Sequence, residues 1–524
     1  MLKRREVLQL AASGAASLAA LSPFSPARAQ EPVEPAAPPA KSPPQPEPSI
    51  PFSGNLVVEL ARALAAKPFV APPSDLPSAI SGLNFETYVA IRARPEALLW
   101  AGDSSGFVIE PLHRGFVFST PMQINFVENG LAQRLVYDQS KFDFGGLKLN
   151  GPLTNLDFSG FRISQPGENG TLREMAIFQG ASFFRSLAQS QALGVMARGL
   201  SIRTADARGE EFPFFRAIWI EKPTRAANAL TIHALLDSES VAGAYRFTLH
   251  PGEATIIDTE CSLFPRAAVD HFGIGTMSAT SLFGPIDRRS IDDTRATVAE
   301  TLGLQMLTGR DEWLWRPASN RTSLQIAQFM DEKPKGFGFL QRNRNFNYYQ
   351  DDNQHWERRP SLWIEPIGEW AKGSVELVEI PSDSEIAQNM IAYWRPDAPL
   401  VKGQQTDFAY RQFWCWDPPS SPPPLAFVQD TRGGHGPNGK QRRFVVDFQG
   451  DIFADAGRTP QVSPNLTISS GKIAASRVFL SRERKSCRIQ FDIDPANEPA
   501  CEMRLTLESQ GATISETWLY RWTP

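Results

Sequence analysis

Short apolar runs dominate the chain from Leu83 onward, broken about every 8–12 residues by Gly, Pro, Asn or Asp. Phe107-Val-Ile109, Gly115-Phe-Val-Phe118, Met122-Gln-Ile-Asn-Phe-Val127, Phe215-Arg-Ala-Ile-Trp-Ile220 and Leu230-Thr-Ile-His-Ala-Leu-Leu236 either alternate or are apolar throughout. Such spacing predicts antiparallel sheet, closed into a sandwich or barrel, and hence an all-β fold. The same texture continues through Val375-Glu-Leu-Val-Glu-Ile380 and Ile391-Ala-Tyr-Trp394. A helical period is confined to residues 56–66 and stops before Pro68.

Arg395-Pro-Asp-Ala-Pro399, with Gly403 after it, reads as a connector over residues 397–406. It would separate a large unit, residues 52–396, from a smaller one, residues 407–524. The smaller unit holds Ala409-Tyr-Arg-Gln-Phe-Trp414, Arg443-Phe-Val-Val-Asp-Phe448, Cys487-Arg-Ile-Gln-Phe-Asp-Ile493 and Glu502-Met-Arg-Leu-Thr-Leu507. About seven strands in ~120 residues is the size of an immunoglobulin-like sandwich.

The N-terminus follows another logic. Lys3-Arg4-Arg5 precedes a mild apolar run, and Ala27-Arg28-Ala29 offers a cleavage site. Residues 1–29 therefore read as a signal peptide, with paired arginines of the twin-arginine kind and an ordinary Sec signal as the alternative. Residues 30–51 are Pro, Ala and Glu with almost no large apolar side chain, and are expected to be an extended linker. No later apolar run reaches ~18 residues, so no membrane span is expected after the signal is removed.

Composition narrows the chemistry. A net charge of −4 offers no basic field for nucleic acid. Six histidines stand singly, and the four cysteines show no Cys-x-x-Cys or Cys/His spacing, so no metal and no cofactor is expected. Cys487 and Cys501 flank what reads as a hairpin turning near Asp494-Pro-Ala-Asn497, which would let them bridge in an oxidising compartment. There is no Gly-x-Ser-x-Gly elbow, no P-loop and no His-Glu-x-x-His.

A set of longer phrases carries a resemblance. They include Asp157-Phe-Ser-Gly-Phe-Arg162, Gly180-Ala-Ser-Phe-Phe-Arg185, Ala197-Arg-Gly-Leu200, Gly209-Glu-Glu-Phe-Pro213, Pro334-Lys-Gly-Phe-Gly338, Gln341-Arg-Asn-Arg-Asn-Phe346, Arg359-Pro-Ser-Leu-Trp363 and Ile514-Ser-Glu-Thr-Trp518. In this order they resemble the OpgD/OpgG (MdoD/MdoG) family of periplasmic glucans biosynthesis proteins. The leader and the length look more like the D branch. The resemblance implies a periplasmic protein with a large galactose-mutarotase-like β-sandwich followed by a smaller immunoglobulin-like one. It also implies a role in setting the backbone of osmoregulated periplasmic glucans, with β-glucan as ligand and the glucan-synthesis machinery as a candidate partner. Some members are inverting β-1,2-glucanases, and related members transglycosylate.

An inverting glycosidase needs a carboxylic acid for the leaving oxygen and a second carboxylate to activate the nucleophile. The stretch that resembles the family's acid motif is Pro381-Ser-Asp-Ser-Glu385-Ile-Ala-Gln388-Asn389, with Gln388 at the acid position. An amide cannot deliver that proton. The base position falls on Glu300 in Ala299-Glu-Thr-Leu302. Three readings stay open: glucan binding without catalysis, an acid role moved to Glu385 or Asp383, or a different glycosyl transfer. For binding, pyranose rings stack on aromatic faces and hydroxyls suit Arg and carboxylate partners. Tyr349, Asp351, Trp356, Arg359 and Trp363 are the candidates, on a Pro- and Asn-interrupted segment expected to be exposed. A structural role for Arg359 and Trp363, with the Arg-Pro turn packed on the Trp, is the alternative.

Overall fold

The computed structural model describes residues 48–524 apart from 104, 225–227, 289–290, 420–424 and 455–460. The leader and most of the expected linker lie outside the described residues. The last two linker residues, Ile50–Pro51, form a short strand beside Leu131–Arg134.

The fold is an all-β sandwich. A long sheet runs from Ile50–Pro51 through Gln123–Glu128, Phe214–Glu221, Leu230–Asp237, Val241–His250 and Thr255–Pro265. It continues through Thr406–Cys415, Ser361–Ile367, Gly336–Leu340, Gly303–Leu307 and Trp313–Pro317. A shorter sheet stacks on it, ordered Gln325–Glu332, Lys372–Glu379, Met390–Pro396, Phe272–Ala279, Met196–Arg198, Phe183–Ser186, Leu172–Gln179, Gly160–Pro166 and Val108–Leu112. Period-2 alternation explains the stacking. Phe184, Ala197, Ala392, Trp394, Phe161 and Phe178 turn inward, and Ile232, Ala234, Phe247 and Leu263 of the long sheet meet them in one core.

One strand breaks the alternation. Ile274 and Met277 both enter the core although three residues apart. Gly275 lies between them at φ +61°, where the register against Met390–Pro396 shifts. This is a bulge: the extra residue resets the inward face, and a Cβ at Gly275 would crowd Ile364 and Phe337.

The helix spans Gly54–Ala65 and buries Val57 and Ala61 against Trp219, Leu235, Ala244 and Phe264 on the outer face of the long sheet. Gly115-Phe-Val-Phe118 is not a strand. It closes on itself by paired Gly115 and Phe118 backbone bonds, with Phe116 left-handed at φ 53°.

The C-terminal region contributes strands to two sheets. Phe427–His435, Arg442–Gln449, Ser486–Asp494 and Lys472–Ser481 form a sheet of their own. Ser463–Ile468, Cys501–Ser509 and Thr517–Trp522 instead extend the long sheet, through the parallel pair Trp315 and Trp518. A second core of Phe444, Phe448, Ile489, Phe491, Leu505 and Trp518 fills the space between them and reaches Trp315 and Trp363. The strand Thr406–Cys415, which the sequence pattern grouped with this region, sits between Thr255–Pro265 and Ser361–Ile367 in the long sheet.

The expected hairpin between Cys487 and Cys501 does not form. Ser486–Asp494 and Cys501–Ser509 belong to opposite sheets, so the turn at Asp494 crosses the sandwich. Both cysteines are buried and free, as are Cys261 and Cys415.

Candidate functional site

The strand Phe272–Ala279 of the shorter sheet ends at a polar junction. Thr280, the next residue, donates its backbone N–H to Glu300 Oε2 at 3.0 Å and accepts the Glu300 N–H at 2.7 Å. Its hydroxyl donates to the Ala387 carbonyl at 2.7 Å. Two chain segments, 298–302 and 381–389, are thereby pinned to one strand end. Asn389 completes the clamp: its Oδ1 accepts from Ser281 N at 2.9 Å, and its Nδ2 donates to the Ser281 carbonyl at 3.0 Å.

Within this clamp Gln388 Nε2 donates to Glu300 Oε2 at 3.0 Å. Both side chains are buried, with Glu300 3% and Gln388 5% exposed. Gln388 Oε1 has no hydrogen-bond partner in the protein. The two residues that sequence comparison put at the base and acid positions are therefore adjacent, in direct contact.

Two guanidinium groups face the pair. Arg185 comes from the strand Phe183–Ser186, whose intervening Phe184 points into the core. Arg359 follows the short 3-10 turn Trp356–Arg358 and packs on Gly194, where a Cβ would lie 3.0 Å from the Arg359 Cβ. Burial works against the charge on both arginines, and the Glu300 carboxylate is the leading opposing influence on each. One Nη of Arg185 and the Nε of Arg359 are buried without a partner.

Glu385 stands at the solvent side, 34% exposed, paired with Arg295 at 2.7 Å. Arg295 also pairs with Asp351 at 3.0 Å and Asp293 at 2.8 Å. Arg295 thus joins segments 293–295, 351 and 385 into one polar rim.

The chain matches, over residues 52–522, the family described as periplasmic glucan biosynthesis protein, MdoG. It belongs to the MdoG family. Glucans biosynthesis protein G of Rhodopseudomonas palustris strain BisA53 is 41% identical over 481 residues, covering 91% of this chain and 95% of that protein. The protein of the same name from Vibrio cholerae strain O395 is 40% identical over 479 residues, covering 90% and 87%. That of Shewanella baltica strain OS155 is 40% identical over 478 residues, covering 90% and 87%. These relatives carry the G name, whereas the D-like likeness rested on the leader and the length. The leader lies outside the span matched to the MdoG family.

The remaining candidates of this MdoG-family chain occupy a tied-down loop, not an exposed one. Asp351 Oδ1 accepts the N–H groups of Asn353 and Gln354, each at 3.0 Å. Its Oδ2 accepts Trp356 Nε1 at 2.9 Å and Arg295 Nη1 at 3.0 Å. Burial pushes the Asp351 carboxyl up, but these donors outweigh it and hold the group below its ordinary range. Arg359 Nη2 donates to the Gln354 carbonyl at 2.9 Å, and the guanidinium carbon lies 5.1 Å from the Trp356 ring centroid. Arg359 and Asp351 are brought to the Glu300 rim, with Trp356 behind them.

Tyr349 is fully buried and donates its hydroxyl to the Asn343 carbonyl at 2.9 Å. Trp363 is fully buried too, stacked on Trp313 with centroids 5.9 Å apart, its Nε1 bonded to Glu365. Neither ring presents a face to solvent. Sequence reasoning gave no role to Arg185, Thr280 or Arg295. Arg185 stood in a phrase of the resemblance, Gly180-Ala-Ser-Phe-Phe-Arg185, but Thr280 and Arg295 carried no signal, because their role arises only where distant segments meet.

Proposed function

We propose that this periplasmic protein takes part in glucan biosynthesis by binding the glucose backbone at the Glu300 rim and shaping it without cleaving it. The observation that carries this reading is the 3.0 Å contact between Gln388 Nε2 and Glu300 Oε2. An inverting pair needs two carboxyl groups roughly 6.5–9.5 Å apart, with water between them. Here one partner is an amide in direct contact, with no proton to donate and no room for that water. Buried Arg185 and Arg359, each with a free N–H, supply donors suited to sugar hydroxyls. Glucan is the ligand class in the family description, and the glucan-synthesis machinery is the partner we assign by the same reasoning. Export by the twin-arginine-type leader at residues 1–29 belongs to the same proposal.

A second reading keeps glycosyl transfer, with Glu300 as base and Glu385 as acid. Its support is the position of Glu385 on the same rim, joined to Asp351 through Arg295. The test is incubation of the mature protein with linear β-1,2-glucan, followed by oligosaccharide chromatography and calorimetric binding of the same polymer. Binding with unchanged polymer supports the first reading. Shortened or rearranged products that vanish in Glu300→Gln and Glu385→Gln support the second.

A further inference from the structure

A cavity of about 570 Å³ opens beside the start of the strand Phe183–Ser186, within the ~300–1,000 Å³ typical of small-molecule sites. Phe69, Phe118, Phe183, Phe212 and Phe214 line it together with Arg203. The five rings come from four segments, around residues 69, 118, 183 and 212–214, that meet only in the fold. Phe69 and Phe212 are half-buried, so their faces are not consumed by the core. Exposed Ala71 and Glu239 stand on its wall.

This cavity shares a sheet face with the Glu300 rim. Phe183 and Arg185 lie two residues apart and point to the same side of the shorter sheet, away from the core residue Phe184. Phe183 pairs with Arg198, and the neighbouring Ala197 pairs with Met277. Thr280, bonded to Glu300, lies three residues beyond Met277. At ~3.3 Å per residue, the cavity begins about 10–13 Å from the Glu300 row.

Arg198 stands in the Phe183 row, behind the cavity's edge. Its side chain is 2% exposed and pairs with Glu210 at 2.6 Å. It lies over Phe183 at 5.3 Å and Phe212 at 6.0 Å, two rings of the cavity. Its Nε and Nη2 are buried without an acceptor. Buried donors normally find one, and a donor left without one costs stability.

We infer that this cavity is a distal hexose subsite, which holds a glucose residue further along the chain whose nearer residue lies at Glu300. The inference rests on the glucan-binding reading above. Flat apolar walls fit the C–H face of a pyranose. Arg203, Glu210 and Glu239 on the same lining offer donors and acceptors for its hydroxyls. Two linked subsites make affinity depend on chain length, because the second contact is intramolecular once the first is made.

The test is calorimetric titration of the mature protein with a β-1,2-linked glucose disaccharide and with long linear β-1,2-glucan. Phe212→Ala removes a wall of the cavity. Ala71→Trp fills it from an exposed position and removes no packing. Both are expected to weaken long-chain binding by about tenfold and to leave the disaccharide unchanged, with melting curves like the wild type. Wild-type long-chain affinity in both variants overturns the subsite while the glucan-binding reading survives. So does an equal loss for both ligands. A wild type that binds neither glucan overturns both.

Discussion

Glu300 and Gln388 share a hydrogen bond of 3.0 Å inside a clamp built by Thr280 and Asn389. The clamp explains why the amide stays: Gln388 Nε2 is a donor to a buried carboxylate, and a second carboxylate there would face like charge. Replacing Gln388 by Asp shortens the side chain, breaks the contact and supplies a proton carrier. Gln388→Asp is expected to release oligosaccharides from linear β-1,2-glucan, which the wild type leaves intact, with an acidic optimum. Chromatography of timed digests checks this. No product from a folded, glucan-binding Gln388→Asp protein would show that the missing acid is not what silences the site.

Glu516 is the keystone between the C-terminal strands and the large sandwich. Its carboxylate accepts Arg342 Nη1 at 2.6 Å, Arg342 Nη2 at 2.9 Å and the Val428 N–H at 2.6 Å. Arg342 in turn lies 3.6 Å above the Trp315 ring. Glu516→Ala strands a buried guanidinium and is expected to cost about 3–5 kcal/mol of stability, read by urea denaturation.

His113 makes stability fall in mild acid. Burial, helped by the Arg114 charge and opposed by the Arg114 carbonyl, pushes its pKa down from 6.5 to about 4. The folded state therefore holds the ring neutral while the unfolded chain protonates it. Its contribution is complete above pH 6.5 and is lost as pH falls towards 4, by up to about 3 kcal/mol. Denaturation curves between pH 7 and 4 should steepen by this amount, and His113→Gln should flatten the slope.

Asp287 acts in the opposite direction. Burial raises its carboxyl pKa from 3.8 to about 6, against donors at Gly284, Ser319 and Asn320. Its folded form favours the proton, so its contribution is largest below pH 3.8 and is lost as pH rises through 6. In Asp287→Asn this loss should be absent between about pH 4 and 6, measured against the same curves.

Trp363 separates packing from binding. Trp363→Ala empties a buried position between Trp313 and the second core, and should cost about 3–5 kcal/mol. The affinity of the folded variant for glucan should not change, whereas Arg359→Met should weaken binding. A Trp363 variant that folds normally and loses glucan would give the ring a binding role.

The chain's own pattern determined the all-β class, the helix at Gly54–Ala65 and strands such as Gln123–Glu128, Phe214–Glu221, Leu230–Asp237, Lys372–Glu379 and Met390–Pro396, because alternation with a period of two is a local property of a half-buried surface. It also marked Glu300 and Gln388, through phrases that hold their residues in order. What it could not decide was partnership across the fold. The apolar run at Thr406–Cys415 satisfies either unit, and only the ladder with Thr255–Pro265 and Ser361–Ile367 assigns it. Asp494 looks like a hairpin turn, yet the strands around it part to opposite sheets, which leaves Cys487 and Cys501 as free thiols. Trp363 and Tyr349 sit in polar, Pro-interrupted sequence, but Arg344 and Asp351 gather that segment's own carbonyl and N–H groups and draw the rings inside. Burial and hydrogen-bond satisfaction are sums over segments far apart in sequence, so the tertiary structure alone brings Arg185, Thr280 and Arg295 to Glu300 and Glu385.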